Sequence, residues 1–509
     1  MTPDADVLVI GAGPSGLVMA WQLARFGVRA RIIDMSEGPS RTSKALGIQA
    51  RTLELLEYSG AADAFVAAGH KVHGLDVFSG GKHIINLGFD TIESRYNYVL
   101  ILPQSETERL LAEALRATGG DVEWRTELRE LSQTEDGVSA VVSRGNGTTE
   151  TMRAQYAVGC DGPHSAVRHL LGMPFEGSQF QQSFSLADVN MEAALTPDRI
   201  RVFLCGSRLT ALFPQGNGVW RVVLECHDEN QQSGEPDAAE VQSAVDACGP
   251  LQARITGMIW ASRFRIHQRH IKHYRKGRVF LAGDAAHIHS PLGGQGMNTG
   301  IQDACNLSWK IALAVRGVAA AALLDSYETE RLPIGADLLR ATGVLSRIAL
   351  SQATMIDAVR DRVAPVLLGW EPVQERILNA LSEIAVGYKN SPIVANSGRR
   401  APDALVRREG AQLRLYEAMR EPRHKLIYSG PRPAPAALRD PLQEREPFVE
   451  MLLATEDFNA VYGIAGETAI AVRPDGYIGY RGAPEAAALR GYFSRLFRTA
   501  SSARRTTQA

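Results

Sequence analysis

The sequence has few cysteines, no long apolar run and no basic segment at its N-terminus. Its five cysteines are scattered over 509 residues, and no two of them form a CxxC pair. This usage argues against a disulfide framework and a zinc site, and it is typical of a reducing cytoplasm. No apolar stretch reaches the roughly 20 residues that a membrane-spanning helix requires. The acidic N-terminus does not resemble a secretory signal.

An excess of charge of one sign is also missing. Lys and Arg number 55 and Asp and Glu number 56, which gives a formal net charge of −1. Without a basic excess, no electrostatic attraction favours nucleic acid or an anionic membrane as a partner. The hydrophobic content of 45% permits a large core, and the length predicts two to four domains. We therefore expect a cytoplasmic protein of several domains.

A glycine pattern follows directly after the first apolar run of the chain. The run DVLVI predicts a buried parallel strand, and Gly11, Gly13 and Gly16 then form a GxGxxG pattern that opens a helix. A second strand ends at Asp34, within reach of a ribose hydroxyl pair. The glycines permit a tight turn, close approach of a pyrophosphate, and helix–strand packing. This pattern predicts a dinucleotide site for FAD or NAD, with a purely structural turn as the alternative.

A second glycine-rich segment, GDAAHIHSPLGGQGMNTG, joins an apolar strand at residues 278–282 to an amphipathic helical pattern. Small residues in front of a helix admit a flat ring to the backbone, and the helix N-terminus stabilises negative charge on that ring. The alternative is an ordinary glycine-rich surface turn. His287 and His289 lie two residues apart, but no complete ligand set surrounds them, so no metal is expected. A packing or hydrogen-bonding role is expected for His287.

These two segments, together with Asp161 and Gly162 in CDGPHS, resemble the class A flavoprotein monooxygenases of the p-hydroxybenzoate hydroxylase type. The three motifs follow the family's order and spacing over about residues 5–345. The chain is most similar to the polyketide and antibiotic hydroxylases that carry an additional C-terminal domain. The resemblance implies an α/β fold with a Rossmann-like FAD-binding domain, an inserted antiparallel-sheet substrate domain and a C-terminal thioredoxin-like domain.

The resemblance and the strand patterns together predict the domain boundaries. No cysteine follows Cys305, so the C-terminal domain cannot perform dithiol chemistry, and a structural role or dimerisation in a homodimer is expected. The predicted segments are 1–175 (FAD binding, with 72–100 joining the substrate domain), 176–270 (substrate-binding sheet), 271–345 (FAD binding, second part), 346–395 (helical connection), 396–498 (thioredoxin-like, without CxxC) and 499–509 (disordered tail).

The resemblance also implies roles for individual residues around FAD. Asp284 corresponds to the aspartate that binds the ribityl chain, and Pro291 to the proline beside flavin C4a, where oxygen reacts. Asp161 belongs to a motif implicated in FAD and nicotinamide binding. Lys44 stands where the family usually has arginine, and Asp34 where it usually has glutamate. The implied FAD-binding residues are Gly11, Gly13, Ser15, Gly16, Asp34, Lys44, Gln104, Asp161, Gly283, Asp284, Gly296, Met297 and Asn298.

The middle of the chain predicts short antiparallel strands that form a wall over the cofactor. Phe203, Phe213 and Trp220 either line an aromatic substrate pocket or belong to the core of this sheet. Arg201 and Arg221 either meet a substrate phenolate or occupy solvent-facing strand positions. No residue is singled out as a general base.

The resemblance implies an FAD-dependent monooxygenase that hydroxylates a phenolic or polyketide-like aromatic molecule. NAD(P)H is expected as a transient co-substrate that reduces the flavin, because the sequence predicts only one dinucleotide fold. Reaction with O2 would then give a flavin C4a-hydroperoxide, which the protein shields from water. A flavoprotein of the same fold that performs Baeyer–Villiger oxygenation or double-bond reduction is the first alternative. A non-enzymatic, flavin-bearing binding protein is the second.

Overall fold

The structure is a computed structural model. It describes residues 3–498 except 41–42, 206–207, 227–233, 249–250, 289–293, 336–369 and most of 432–446. Pro291, the predicted helices between 338 and 363, and the tail 499–509 therefore lie outside the described residues. Within the described part, no helix combines the length and apolar character needed to cross a membrane. The same part contains no group of three or more His, Cys, Asp or Glu side chains arranged to hold a metal ion.

Twenty-five strands are present in the described residues, and they form four sheets. In chain order they are β1 (Ala5–Ile10), β2 (Ala30–Ile33), β3 (Gly47–Ile48), β4 (His70–Val72), β5 (Gly74–Ser79), β6 (Lys82–Gly88), β7 (Val99–Ile101), β8 (Val122–Glu123), β9 (Thr126–Gln133), β10 (Val138–Arg144), β11 (Thr149–Gly159), β12 (Glu176–Glu192), β13 (Arg199–Cys205), β14 (Arg208–Gly216), β15 (Val219–Cys226), β16 (Arg254–His270), β17 (Arg275–Lys276), β18 (Val279–Leu281), β19 (His287–Ile288), β20 (Leu405–Arg408), β21 (Ala411–Arg414), β22 (His424–Ser429), β23 (Val449–Ala454), β24 (Thr468–Val472) and β25 (Ile478–Gly482).

The α-helices with defined bounds lie between these strands, and a further helical segment covers residues 326–335. In chain order they are α1 (Pro14–Arg25), α2 (Ala50–Glu57), α3 (Ala62–Ala68), α4 (Gln104–Ala117), α5 (Ala166–Leu170), α6 (Ala238–Asp246), α7 (Gly296–Val315), α8 (Glu371–Leu381), α9 (Leu415–Ala418), α10 (Glu456–Tyr462) and α11 (Ala486–Phe493).

The first sheet has a parallel centre. Strands β8, β2, β1, β11 and β18 lie side by side in this order and run in parallel, while β9 and β10 extend β11 as an antiparallel meander. The apolar strand β1 is buried along almost its whole length, as a parallel strand covered by helices should be. Helix α1 packs against α4 and α7. The strand–GxGxxG–helix–strand unit and the helix after the second glycine-rich segment are therefore confirmed.

The second sheet has eight strands in the order β19-β16-β12-β15-β14-β13-β5-β6, and only the β13–β5 pair is parallel. Strands β5 and β6 join it from the earlier part of the chain. Helix α6 covers one face, where Val241 and Val245 pack with the sheet residues Val222 and Leu212. We call this the helix-covered face. The opposite face, which we call the cleft face, carries a separate apolar cluster of Phe184, Leu204, Leu209 and Ala211.

The C-terminal sheet has six strands in the order β21-β20-β23-β22-β24-β25. Strands β22 and β23 are parallel, whereas β24 and β25 form the antiparallel hairpin that the sequence predicts. This arrangement is that of a thioredoxin-like core, so the predicted fold class is confirmed. The main hydrophobic core runs continuously from the first sheet through Trp309 of α7 into this domain, where Ile470 and Phe493 belong to it.

Candidate active site

The three glycines of the first turn have different surroundings. Gly11 has a φ of +101°, and a Cβ atom on it would lie 2.4 Å from the carbonyl oxygen of Cys160. A Cβ atom on Gly16 would lie 1.9 Å from the carbonyl oxygen of Gly11, so α1 could not approach the turn. A Cβ atom on Gly13 would meet no atom of the described residues within 4 Å. Gly13 therefore borders open space beside the N-terminus of α1, where no described side chain caps the free N–H groups.

Asp34 lies next to this turn at the end of β2. Its Oδ2 accepts a hydrogen bond of 2.7 Å from the backbone N–H of Ala12, and its Oδ1 accepts one of 2.8 Å from the N–H of Ser36. These two bonds fix the carboxylate beside the glycine turn. Each carboxylate oxygen keeps a further lone pair for a hydroxyl donor. The arrangement fits a ribose next to a pyrophosphate at the helix N-terminus.

Ser15 brings the two glycine-rich segments together. A Cβ atom on Gly283 would lie 2.5 Å from Ser15 Oγ, and one on Gly300 would lie 2.3 Å from the same oxygen. Gly283 also has a φ of +61°, which favours glycine. The first turn of α1, the turn at 283–285 and the first turns of α7 are therefore packed without intervening side chains.

Asp284 is exposed next to this junction, and we call the open space that it faces the cleft. The surrounding protein still limits its hydration and raises its pKa, while the positive charge of Lys44 acts in the opposite direction. Lys44 is itself exposed. The two predicted cofactor residues are thus close enough to influence each other across one cleft.

The side chain of Asn298 is fully used by the protein. Its Oδ1 accepts a bond of 2.9 Å from the N–H of Gln49, and its Nδ2 donates to the carbonyl oxygens of Gly47 and Gly294 at 2.9 and 3.0 Å. Its backbone therefore remains for the proposed contact with the flavin. Among the described residues, no side chain caps the N-terminus of α7, and a Cβ atom on Gly296 would meet no atom within 4 Å. Met297 packs partly against the main core.

Gln104 and Asp161 hold loops that border the cleft. Gln104 Oε1 accepts a bond of 3.2 Å from the N–H of Ala45, which follows Lys44. Asp161 accepts bonds of 2.6 Å from Ser165 Oγ and 3.0 Å from the N–H of Val167, and burial raises the pKa of its carboxyl. The side chains of both predicted residues therefore have structural partners in addition to any contact with a cofactor.

The predicted aromatic residues of the second sheet do not share one face. Phe203 and Trp220 are 2% and 4% exposed and pack beneath α6 on the helix-covered face. This packing favours the sheet-core interpretation for both. Phe213 is half-buried on the cleft face, where it lies opposite Arg221 in the β14–β15 register and packs against the cleft-face cluster. Of the three aromatic residues, Phe213 is the one on the cleft face.

The solvent-facing positions considered for Arg201 and Arg221 are wrong, because the two residues are only 8% and 2% exposed. Arg221 forms two hydrogen bonds, of 2.7 and 2.8 Å, with the carboxylate of Asp188, and its Nη1 donates to the carbonyl oxygen of Lys44 at 3.1 Å. Arg201 donates to the backbone and hydroxyl oxygens of Thr196. The Asp188 carboxylate neutralises the guanidinium charge with which Arg221 would bind a substrate phenolate. Arg221 instead connects the second sheet to the loop that contains Lys44.

A buried ionic network behind the 283–285 turn is absent from the sequence predictions. His287 Nε2 lies 2.7 Å from Asp303 Oδ2, and Arg331 Nε donates to Asp303 Oδ1 at 2.6 Å. The N–H of Gly283 also donates to Asp303 Oδ2, at 3.1 Å. Burial alone would raise the pKa of Asp303, but Arg331 and His287 lower it to about 2. The carboxylate therefore stays ionised and anchors the turn that carries Asp284.

The hydrogen-bonding role expected for His287 is confirmed by this contact with Asp303. Asp303 and Arg331 were missed. In IQDACNLSWK, Asp303, Asn306 and Lys310 recur at helical spacing outside the apolar face, but this pattern does not distinguish a buried network from a solvated helix face. Such polar residues are usually solvated, and the sequence contains nothing that marks them as buried.

Comparison with known proteins decides the family. The model of an FAD-binding domain matches residues 4–342, and the model of an aromatic-ring hydroxylase C-terminal domain matches residues 395–500. The chain belongs to the FAD-dependent aromatic-ring hydroxylases. The dinucleotide of the first glycine motif is therefore FAD, and NAD(P)H is the co-substrate typical of the family.

Relatives of this hydroxylase resemble it over most of their length. The 6-methylpretetramide 4-monooxygenase of Streptomyces rimosus is 39% identical over 78% of this chain and 73% of that protein. Pentachlorophenol 4-monooxygenase of Sphingobium chlorophenolicum is 33% identical over 88% of this chain and 85% of that protein. Among solved structures, the OxyS anhydrotetracycline hydroxylase from Streptomyces rimosus has a TM-score of 0.82 and 31% identity, with 97% of this chain and 99% of that chain covered.

Proposed function

We propose that this hydroxylase inserts one oxygen atom of O2 into a fused-ring phenolic compound of the polyketide type, with NAD(P)H as the reductant. The relatives support this substrate class. The proteins named for pretetramide and anhydrotetracycline substrates match the chain at 39% and 31% identity. Pentachlorophenol, a single-ring phenol, is the substrate named for a relative at 33% identity. A monocyclic phenol is therefore the competing substrate class.

The observation that carries the proposal is the position of the apolar cleft face beside the cofactor residues. Arg221 projects from this face and donates to the carbonyl oxygen of Lys44, and the charge of Lys44 acts on Asp284. The cleft face therefore borders the cleft into which Asp284 opens. The half-buried rings of Phe213 and Phe264 pack against its buried cluster of Phe184, Leu204, Leu209 and Ala211 and form an apolar wall there. Such a wall suits a flat, fused aromatic ligand.

We infer that the two helix N-termini hold opposite ends of FAD. Gly13 leaves room for the pyrophosphate at α1, Asp34 accepts the ribose hydroxyls, and Asp284 accepts hydroxyls of the ribityl chain. By the resemblance to the family, the pyrimidine edge of the flavin would face the N-terminus of α7, and this is supported by the lack of a side-chain cap and of a contact at Gly296 among the described residues. In this assignment Lys44 offers a positive charge to the cofactor or to NAD(P)H.

Bound FAD supplies the redox chemistry that takes reducing equivalents from NAD(P)H and activates O2. The chain's own contribution is electrostatic and steric. The partial positive charge at the N-terminus of α7 stabilises negative charge that develops nearby. The apolar cleft face excludes water from the reacting region. The Arg221–Asp188 pair holds this face against the Lys44 loop. This contact fixes the position of the substrate wall relative to the cofactor residues.

Aerobic turnover under ¹⁸O₂ tests the proposal. The FAD-loaded protein is incubated with NAD(P)H and either a tetracyclic phenol of the anhydrotetracycline type or pentachlorophenol, and the products are analysed by mass spectrometry. We expect the tetracyclic phenol to stimulate NAD(P)H oxidation and to gain one labelled oxygen as a new hydroxyl group. A gain of hydrogen without oxygen, insertion of oxygen beside a ketone, or faster coupled turnover of the monocyclic phenol would contradict the proposal.

A further inference from the structure

A cavity lies away from the cleft, between the FAD-binding helices and the C-terminal domain. Its volume is about 250 Å³, and its walls include Arg25, Trp309, Arg316, Arg423, His424 and Phe448. Arg25 is the last residue of α1, and Arg316 follows the last residue of α7. With a rise of about 1.5 Å per residue, the 12-residue α1 places this cavity roughly 18 Å from the N-terminal turn that faces the pyrophosphate. The cavity is therefore separate from the proposed flavin site.

The charge on the described walls has one sign. Among the described residues that line the cavity are three arginines and no Asp or Glu. Arg423 is paired with Glu421, but among the described residues neither Arg25 nor Arg316 lies in a salt bridge. The Nη1 and Nη2 atoms of Arg25 each donate to two neutral oxygen atoms, and desolvation lowers the pKa of this side chain to about 10. Two guanidinium charges therefore have no carboxylate partner among the described residues, which favours an anionic ligand.

Arg316 is the guanidinium with donors to spare. It is exposed, and among the described residues it donates a hydrogen bond to the carbonyl oxygen of Phe26. Its guanidinium also lies 5.6 Å from the ring centre of Phe448. A guanidinium has five N–H donors, so this side chain can still present two of them to a carboxylate.

The remaining walls are aromatic and contain unmatched polar atoms. The rings of Trp309 and His424 pack edge to face, with centres 5.1 Å apart. Trp309 Nε1 and His424 Nε2 are buried, and neither has a hydrogen-bond partner among the described residues. Burial lowers the pKa of His424 to about 3, so this ring is neutral near pH 7. Buried donors and acceptors normally have partners, and two unmatched ring nitrogens at one cavity indicate a site for a polar ligand.

We propose that this cavity binds a small aromatic carboxylate, whose anionic group accepts hydrogen bonds from Arg316 and is attracted by the charge of Arg25, and whose ring packs against Trp309, His424 and Phe448. The volume of about 250 Å³ lies just below the roughly 300–1,000 Å³ of pockets for drug-sized ligands, which limits the ligand to a smaller molecule. A ligand of one or two fused rings fits a space of about 250 Å³, whereas a dinucleotide does not. The ligand would contact α1, α7 and the C-terminal domain together.

Isothermal titration calorimetry of the FAD-loaded full chain with 2-naphthoate tests this site. 2-Naphthamide serves as the neutral probe of similar shape, Arg316→Gln as the site variant and Arg490→Gln as the control, because Arg490 is exposed on α11 and does not line the cavity. We expect saturable binding of the carboxylate and at least tenfold weaker binding of the amide. Arg316→Gln should weaken carboxylate binding at least tenfold, and Arg490→Gln should leave it unchanged.

Two results would overturn the proposal. If 2-naphthoate binds the Arg316→Gln variant as tightly as the unmodified chain, the ligand occupies the flavin cleft or another site. If 2-naphthoate does not bind the unmodified chain at all, the cavity has no affinity for an aromatic carboxylate. Thermal unfolding of both variants with FAD alone shows whether each is folded. Since Arg316 is exposed and bonds one carbonyl oxygen, the site variant is expected to fold normally.

Discussion

Arg473 of the C-terminal domain and Glu330 of the helical segment 326–335 form an ion pair whose side chains are completely buried. Two hydrogen bonds, of 2.5 and 2.9 Å, join the guanidinium to the carboxylate. Lys310 of α7 donates to the same carboxylate at 2.7 Å, and Asp475 pairs with Arg473. Burial alone would raise the pKa of Glu330, but Arg473 and Lys310 hold it well below its usual range. This network joins the C-terminal domain to the helix that begins at the flavin cleft.

Glu330→Gln tests the structural importance of this network. The substitution leaves Arg473 and Lys310 buried with less negative charge, and removal of one partner of a buried ion pair costs about 3–5 kcal/mol. We expect a loss of that order in the free energy of unfolding, measured by urea denaturation of the FAD-loaded protein. Arg490→Gln, an exposed substitution, should change it by less than about 0.5 kcal/mol. Equal stability of both variants would mean that the domain is attached by other contacts.

Two alanine substitutions in the first glycine turn should have opposite effects. In Gly13→Ala the new methyl group meets no protein atom within 4 Å, so the chain should fold with nearly unchanged stability. The methyl group would instead occupy space next to the proposed pyrophosphate, and FAD affinity should fall at least tenfold. In Gly16→Ala the Cβ atom would clash with the carbonyl oxygen of Gly11, so stability itself should fall. Fluorescence titration with FAD and urea denaturation of each apoprotein separate the two effects.

Asp284→Ala should lower FAD occupancy far more than it lowers stability. The carboxylate is exposed and forms no ion pair with the described residues, so its removal takes away the proposed cofactor contact without breaking a structural ion pair. Asp136→Ala is a suitable control because Asp136 is exposed in the β9–β10 turn. The measurement is the flavin absorbance per purified chain. Full FAD occupancy and unchanged turnover in Asp284→Ala would show that Asp284 does not contribute to FAD binding.

Glu383 gives the protein a specific pH dependence. Its carboxyl is buried beside Thr299 and Gln302 of α7, and this burial raises its pKa to about 8. Between the unfolded pKa of about 4.3 and the folded pKa, the unfolded chain has lost a proton that the folded chain keeps. Stability therefore falls as the pH rises through this window, by up to about 1.4 kcal/mol per pH unit.

Glu383→Gln should remove this contribution, because the amide does not ionise. We expect the free energy of unfolding to fall less between pH 6 and pH 7.5 in the variant than in the unmodified chain, and the variant to be the more stable of the two at pH 7.5. Urea denaturation at both pH values measures the difference. Parallel pH profiles of the two proteins would show that Glu383 is ionised in the folded chain.

The two faces of the second sheet predict different effects of similar substitutions. Phe213→Leu alters the cleft face and should raise KM for the aromatic substrate several-fold with little change in stability. Phe203→Leu alters the core beneath α6, where the ring also stacks on Phe78 at 5.0 Å. It should destabilise the fold by about 1–2 kcal/mol and leave KM unchanged. Substrate-dependent NAD(P)H oxidation and urea denaturation test both, and a larger KM effect at Phe203 would reverse the assignment of the faces.

The sequence predicts those features that a short stretch of chain determines by its own geometry. The GxGxxG turn needs its glycines at fixed positions between a strand and a helix, so the spacing alone located Gly11, Gly13, Gly16 and Asp34. Short strand-like runs broken by turn residues predict the strands of the second sheet. Their faces could not be assigned, because this requires knowing that α6 packs on Phe203 and Trp220.

Long-range contacts explain what the sequence did not predict. Helix α7 shows an apolar face in the sequence, which predicts solvent on the other side. In the structure Asp303 and Lys310 on that other side have no exposure, because Arg331 and Glu330 reach them from outside the helix. Partners at such separations leave no periodic signal, so a polar helix face in contact with water and one in a buried network look alike in the sequence.

The central claim is that one FAD lies between the N-termini of α1 and α7. Titration of the flavin-free protein with FAD, followed by the change in flavin fluorescence and absorbance, tests it most directly. We expect saturation at one FAD per chain and a yellow complex that survives gel filtration. A chain that is folded by circular dichroism yet stays colourless and shows no saturable change with FAD would contradict the claim.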